Sequence, residues 1–487
     1  MRVMESKVIL SNFMWRFVER CGAQGVTFVV SIVLARLLEP SVYGTIALVT
    51  VFTTIMQVFV DSGMANALIQ KKDADDLDFS TVFYFNLVVC ITLYIVMFFC
   101  APLIAGFYQM YELVPVIRVL SLILIISGVK NVQQAYVSRN MLFKRFFFAT
   151  LGGTIGAAIV GIIMAYNGFG VWALVAQMLF NTLVDTIILW ITVKWRPKKM
   201  FSFERLKTLF SYGWKLLASA LIDTVYTDLR QLIIGKIYTK EDLGHYNQAD
   251  KFPKVIVSNI NSSIDSVLLP TLSKAQDDPT SVKSMTRRAI KTSSYIMMPL
   301  MVGLAVCAEQ LVSLVLTDMW LPCVPYLRLF CFTYAFYPVH TANLNAIKAM
   351  GRSDLFLKLE IIKKIVGLIA LVATMWISVM AMAYSLLATS VASQIINSWP
   401  NKKLMNYSYL EQLKDMLPQI ILSVIMGILV YCIQFLGFNN VITLIIQFIF
   451  GTTFYFIISK IMHIESFVYI LSMLKPILSK FKKEENI

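Results

Sequence analysis

Arg16, Glu19 and Arg20 stand at i, i+3 and i+4, a spacing that gathers two guanidinium groups and a carboxylate on one helical face. They lie in an apolar run over about residues 11–36. A charge at a bilayer centre costs about 2.5–3.5 kcal/mol on insertion scales, so such groups normally face a bundle interior or a wet cavity. Two later runs carry more of them. Lys215, Asp223, Asp228 and Arg230 lie along one, and Asp250, Lys251, Lys254 and Asp265 along the next, with Asp61, Lys130 and Asp185 in others. Cations not matched by carboxylates of the same helix suit an anionic substrate. Arg16, Arg20, Lys215, Arg230, Lys251 and Lys254 are therefore the candidate substrate-binding cations. Glu19, Asp61, Asp223, Asp250 and Asp265 are the candidate coupling or gating carboxylates. The competing reading makes these residues internal ion pairs or ends that snorkel to the interface; it is preferred for Arg118, Arg328, Lys363 and Lys364.

Other chemistry finds little support. The seven cysteines include no C-x-x-C pair and the three histidines are scattered, so neither a metal site nor a disulfide framework is expected. No G-x-x-x-x-G-K-[ST] loop is present, which leaves ATP hydrolysis without a motif. No catalytic residue is assigned and no cofactor is expected.

The elements that must position these charges are membrane spans. The 487 residues are 58% hydrophobic and only 15% charged, with a mean hydropathy of +0.71. A soluble chain is roughly 45–50% apolar and about 25% charged. Apolar runs fall at about 11–36, 41–66, 80–104, 113–137, 146–166 and 170–193, and then at 209–235, 243–270, 289–316, 323–347, 355–376 and 379–398. Two more at about 417–436 and 439–459 bring the count to about fourteen. The runs over 209–270 are polar enough for a hydropathy window to miss. With the N-terminus inside, the inward segments hold about 29 of the 43 Lys and Arg residues and the outward loops about three. The net charge of +15 is thus chiefly an orientation signal with both termini cytoplasmic, and nucleic acid is excluded as a partner. The first run carries charges and no small-residue cleavage site, so it reads as a span rather than a cleaved signal. Ile464, Phe467, Ile470, Leu471, Leu474 and Leu478 recur at helical spacing with lysines opposite, which predicts a basic amphipathic tail on membrane lipids.

The chain also repeats itself. Trp15-Arg16 aligns with Trp214-Lys215, and the decapeptide Ala35–Gly44 with Gly235–Gly244, at an offset of 199 to 200. Val60-Asp61-Ser62 then matches Ile264-Asp265-Ser266, and Val114–Arg118 matches Val324–Arg328, where the offset has grown to 210. An even number of spans separates the copies, so the repeats are parallel. This predicts an all-α polytopic protein: an N-lobe over 1–200, a C-lobe over 201–400, a terminal helix pair over 401–460 and the tail over 461–487. A substrate path between two such lobes describes an alternating-access transporter. Pro253, Pro299 and Pro338 either break or merely kink their helices. Gly152-x-x-x-Gly156, with Gly153 and Gly161, predicts close helix packing.

Leu34–Leu38, Glu39–Gly44 and Asp61–Gln70 together resemble the polysaccharide transporter family of the multidrug/oligosaccharidyl-lipid/polysaccharide superfamily, in its Wzx-type, colanic-acid branch. The resemblance runs over nearly the whole chain. It implies a MATE-like fold with a cationic cavity, and a flippase carrying undecaprenyl-diphosphate-linked oligosaccharide from the cytoplasmic to the periplasmic leaflet of the bacterial inner membrane. It further implies polysaccharide polymerase and glycosyltransferases as neighbours in surface polysaccharide or lipopolysaccharide assembly. Arg and Lys would hold the diphosphate, while Tyr212, Trp214, Tyr226 and Tyr246 would stack on sugars. The membrane potential, a proton or Na⁺ would drive the cycle. Alternatives within the superfamily are a peptidoglycan-precursor flippase and a multidrug cation antiporter; the surplus of cations disfavours the second. A membrane glycosyltransferase or ligase would need a large outward loop, which the short loops do not provide, so the protein is expected not to be an enzyme.

Overall fold

The computed structural model describes residues 22–61, 64–71, 73–140 and 142–472, without the side chains of 66, 70, 143 and 212. Arg16, Glu19 and Arg20 therefore lie outside the described residues. Helix α1 is Gly22–Leu37. There follow α2 (Pro40–Asp61), α3 (Met64–Gln70), α4 (Asp76–Tyr108), α5 (Leu113–Leu120), α6 (Leu122–Arg139), α7 (Phe143–Tyr166), α8 (Val171–Thr192), α9 (Phe203–Ile237) and α10 (Lys240–Ser273). The second half comprises α11 (Pro279–Val306), α12 (Ala308–Val315), α13 (Val324–Ala335), α14 (Tyr337–Ala349), α15 (Ser353–Thr374), α16 (Val379–Met405), α17 (Tyr409–Cys432) and α18 (Asn440–Ile461). A short α19 covers 465–472. No strand occurs among the described residues.

The helix starts are written in the sequence. Asp75, Ser202, Asp278, Ser378, Ser408 and Asn439 each cap a helix by accepting a hydrogen bond from a backbone N–H of its first turn. At α4 the cap is reciprocal, since the Asp78 carboxylate also accepts from the Asp75 N–H at 3.2 Å. Among the described residues, nine helical stretches are long and apolar enough to cross a membrane. This is a multi-pass membrane protein. At 35 and 34 residues, α9 and α10 are the longest helices described, yet their charges keep them off that group.

The fourth and tenth expected spans are both broken. Residues 113–137 fold as α5 and α6, and 323–347 as α13 and α14, with Pro338 in the first turn of α14. Pro253 and Pro299, by contrast, sit inside the continuous α10 and α11, so neither interrupts its helix. The glycine run does bring α7 onto α8. A Cβ on Gly153 would stand 3.0 Å from the Asn181 carbonyl oxygen, and one on Gly156 2.8 Å from the Phe180 ring.

Contacts divide the chain into two compact units, one running to Gly244 and the other from His245. The division falls one long helix beyond the repeat boundary near residue 200, because α9 packs along α2, α3 and α4. The first unit is closed at one end by ion pairs: Lys71 to the fully buried Asp78 at 2.6 Å, and Lys198 to Asp76 at 2.5 Å. The second unit has a matching staple, with Arg287 on Asp415 at 2.6 Å and Lys283 on Glu411 at 3.0 Å. Several cations that read as orientation signals therefore also tie loops to helices.

The described part of the tail differs from a helix lying on lipid with its whole apolar face. Ile464 is buried, and with Phe467 and Ile470 it packs on Tyr295, Leu422, Met426 and Tyr455 of the second unit. Glu465 holds Lys291 at 2.7 Å, and that ammonium keeps its carboxyl below the usual carboxylate range. A depressed folded value means that the contact stabilises above the unfolded pKa and is lost as pH falls through the folded one. Amide exchange over 465–472, corrected for intrinsic rate, is thus expected to hold steady from pH 7 to about pH 5 and to quicken as pH falls to about 3. Glu465→Gln should lack this acid-side rise; a wild-type pH response in that variant would contradict the contact.

Candidate functional site

Within the first unit, Lys215, Ser219, Asp223, Tyr226 and Arg230 recur at three- and four-residue steps and share one face of α9. Lys215 is exposed and has no ion-pair partner among the described residues. Trp214 beside it is 48% exposed. A cation and an indole are therefore both presented at the surface of this helix.

Within the second unit, Asp250, Lys254, Ser258, Asn261 and Asp265 form the corresponding polar stripe of α10. Here the charges are partly spoken for. Lys254 Nζ lies 3.2 Å from Asp250 Oδ2, and the Tyr334 hydroxyl donates to Asp250 Oδ1 at 2.5 Å. Lys254 nonetheless keeps 60% of its side chain exposed, so one face of the ammonium is open to a second anion. Tyr334 was not legible as a site residue, since it is one aromatic among many and 84 residues separate it from Asp250. Lys251 is exposed and lies about 100° around the helix from Asp250. Tyr246 is a correction to the set of sugar-stacking rings: it is buried, with Phe330 and Tyr326 edge-on at 5.1 and 6.0 Å. Its ring belongs to the core of the second unit. The side chain of Tyr212 lies outside the described residues.

The repeat-equivalent carboxylates Asp61 and Asp265 differ. Asp61 accepts from the amides of Gln57 at 3.2 Å and Asn131 at 2.9 Å, and among the described residues no cation is in direct contact with it. Asp265 is exposed on α10 and has no partner among the described residues. Close to Asp61, Lys130 of α6 meets Asp185 of α8 at 3.0 Å, both mostly buried. Removing one member of such a pair leaves a buried charge and costs about 3–5 kcal/mol. Lys130→Ala is expected to lower the protein's heat stability accordingly, whereas Lys130→Met combined with Asp185→Leu should recover most of the loss. Equal melting of the single and double variants would contradict the pairing.

Arg118 and Arg328, equivalent in the repeat, behave alike. Each donates through Nε to a backbone carbonyl of an earlier helix, Phe98 and Ala305 respectively, at 3.2 Å. Lys363 pairs with Glu360 at 2.6 Å. These are structural contacts, as the competing reading of internal pairs has it.

A family described as polysaccharide biosynthesis protein matches residues 33–325, well over half of the chain. The chain belongs to this family. Among the family's similar relatives, the teichuronic acid biosynthesis protein TuaB of Bacillus subtilis is 25% identical over 78% of this chain and 79% of its own length. The lipopolysaccharide biosynthesis protein WzxC of Escherichia coli is 23% identical over 74% of each. Of solved structures, the lipid II flippase MurJ in an inward closed conformation aligns with a TM-score of 0.72 at 16% identity, covering 94% of this chain and 98% of that one. An inward-facing multidrug resistance MATE family transporter aligns with a TM-score of 0.63 at 14% identity, over 80% of this chain and 98% of that one. This member of the polysaccharide biosynthesis family thus has the all-helical, MATE-like fold that the resemblance implied.

Proposed function

We propose that the protein is a flippase for undecaprenyl-diphosphate-linked oligosaccharide, moving it from the cytoplasmic to the periplasmic leaflet of the bacterial inner membrane for surface polysaccharide assembly. The observation that carries this reading is a family match to polysaccharide biosynthesis proteins in a chain whose long polar helices present Lys215 and Lys254 exposed. A diphosphate head needs cations and hydroxyls to replace its water, while its polyprenyl tail stays in lipid. Arg16, Arg20, Lys215, Arg230, Lys251 and Lys254 supply the charge-assisted hydrogen bonds, and Trp214 and Tyr226 the rings for sugars. The predominance of basic residues in alternate loops supports cytoplasmic termini.

Two negative charges moving outward across an inside-negative potential gain about 4–5 kcal/mol per 100 mV, so the potential favours export. Glu19, Asp61, Asp223, Asp250 and Asp265 are the carboxylates through which a proton or Na⁺ would couple. The simultaneous contacts of Asp250 with Lys254 and the Tyr334 hydroxyl support this role for it. Substrate phosphate arriving at Lys254 would compete with Asp250 for the ammonium. Polysaccharide polymerase and glycosyltransferases are the partners this function calls for.

The likeness to the lipid II flippase favours a second reading, a peptidoglycan-precursor flippase. One experiment separates them. Deleting the gene should leave cells viable and stop surface polysaccharide export with lipid-linked repeat units accumulating inside; loss of peptidoglycan synthesis with intact export would support the second reading and sink the first.

A further inference from the structure

At the end of the second unit where the apolar α18 stops at Ile461, α11 and α19 enclose a cleft of about 460 Å³. Arg288, Lys291 and Thr292 of α11 form one wall; Glu465, Tyr469 and Ser472 form the other. Four cations crowd this stretch of α11. Lys283 is paired with Glu411, Arg287 with Asp415, and Lys291 with both Asp415 and Glu465. Arg288 alone of the four has no carboxylate partner among the described residues; its guanidinium lies over the Tyr469 ring at 5.0 Å. The ring holds the guanidinium plane in place and leaves its N–H groups free to donate.

The cleft therefore offers a fork of donors, an ammonium shared with the exposed Glu465, and the hydroxyl of Thr292. That set matches the oxygens of a phosphate ester. Its surroundings indicate the source. Val468, 51% exposed, lines it, and the exposed Ile461 and Met462 immediately precede His463 of its lining, so an anion seated here has apolar surface beside it for acyl chains. Basic pockets among spans at a membrane face are suited to anionic lipid head groups.

We propose that this cleft binds the phosphate of an anionic phospholipid, with Arg288 and Lys291 as its cations and Glu465 as the group the phosphate displaces from Lys291. The site uses none of the cations assigned to transport and does not rest on that assignment. It makes the tail a lipid-dependent clasp, because the same α19 that packs its apolar face on the bundle supplies half of the cleft.

The test uses the full chain purified in dodecyl maltoside, with its melting followed on adding phosphatidylglycerol, phosphatidylcholine or inorganic phosphate. Phosphatidylglycerol is expected to raise the wild-type midpoint by about 3 °C or more, and phosphatidylcholine and phosphate to leave it unchanged. Arg288→Ala should lose the shift, while Lys358→Ala, an exposed cation elsewhere in the same unit, should keep it. Glu465→Gln, which removes the competing carboxylate, should reach half-maximal shift at several-fold less lipid, and it serves if Arg288→Ala does not fold. An equal shift in Arg288→Ala, an unchanged midpoint concentration in Glu465→Gln, or an equal response to phosphatidylcholine overturns the proposal. A shift with inorganic phosphate alone that Arg288→Ala abolishes overturns the lipid and leaves a site for a soluble phosphate.

Discussion

Lys215→Ala is expected to slow translocation of a lipid-linked oligosaccharide about ten- to a hundredfold in proteoliposomes while membrane insertion and melting stay near wild type. The magnitude follows from the bond removed. A hydrogen bond to a charged group contributes about 1.5–3 kcal/mol, and each 1.36 kcal/mol is tenfold in rate. Folding is spared because Lys215 is exposed and without an ion-pair partner among the described residues, so its removal strands no buried carboxylate. Lys215→Arg should restore most activity, and Lys215→Glu should be worse than alanine, since a fixed anion repels the diphosphate. Arg16→Ala and Arg20→Ala are expected to act in the same direction. Full surface-polysaccharide export by all three alanine variants would count decisively against a cationic passage. Lys254→Ala should also slow transport, and it takes from Asp250, held by Tyr334, its cation.

The second large effect is expected at a pair of glycines. Gly44 and Gly244 are equivalent in the repeat, and the first turns of α2 and α10 cross there in backbone contact. A Cβ on Gly44 would lie 1.8 Å from the Lys240 carbonyl oxygen, and a Cβ on Gly244 2.0 Å from that of Pro40. Real side chains do not approach backbone so closely, and neither neighbour is a movable side-chain tip. Gly44→Val must push the helices apart, breaking the contact of Lys240 with Glu112 at 3.0 Å and the packing of the fully buried Leu48 beside Gly235. Overpacking alone typically costs about 1–3 kcal/mol, and lost contacts add to it. We expect the melting midpoint to fall by several degrees in either single valine variant, with a cysteine pair at Ser41 and Glu241 crosslinking in wild type but poorly in the variants. Unchanged melting and crosslinking in Gly44→Val would mean that the crossing is not populated.

Much of the fold was legible because its signals are local. Apolar runs mark spans, Ser, Asp and Asn mark helix starts, and the repeat with its drifting offset tied α9 and α10, too polar for a hydropathy window, to the first two spans. Gly44 and Gly244 were visible as aligned letters, yet nothing in a single strand of letters says that each lies against the other helix's carbonyl. Tyr246 failed as a candidate for a similar reason. An aromatic beside charged residues looks available, but burial depends on what α13 brings against it. Tyr334 escaped notice because its partner is distant in the chain.

By itself the sequence determined that this is a multi-pass membrane protein and that it repeats itself, since hydropathy, composition and periodicity are properties of neighbours along the chain. Only the tertiary structure decided which charges remain available. Lys130 is neutralised by Asp185, Arg287 by Asp415 and Lys254 in part by Asp250, while Lys215 and Arg288 are left without carboxylates among the described residues. In a low-dielectric medium a charge acts on whatever lies within a few ångströms, and helices separated by dozens of residues supply those neighbours.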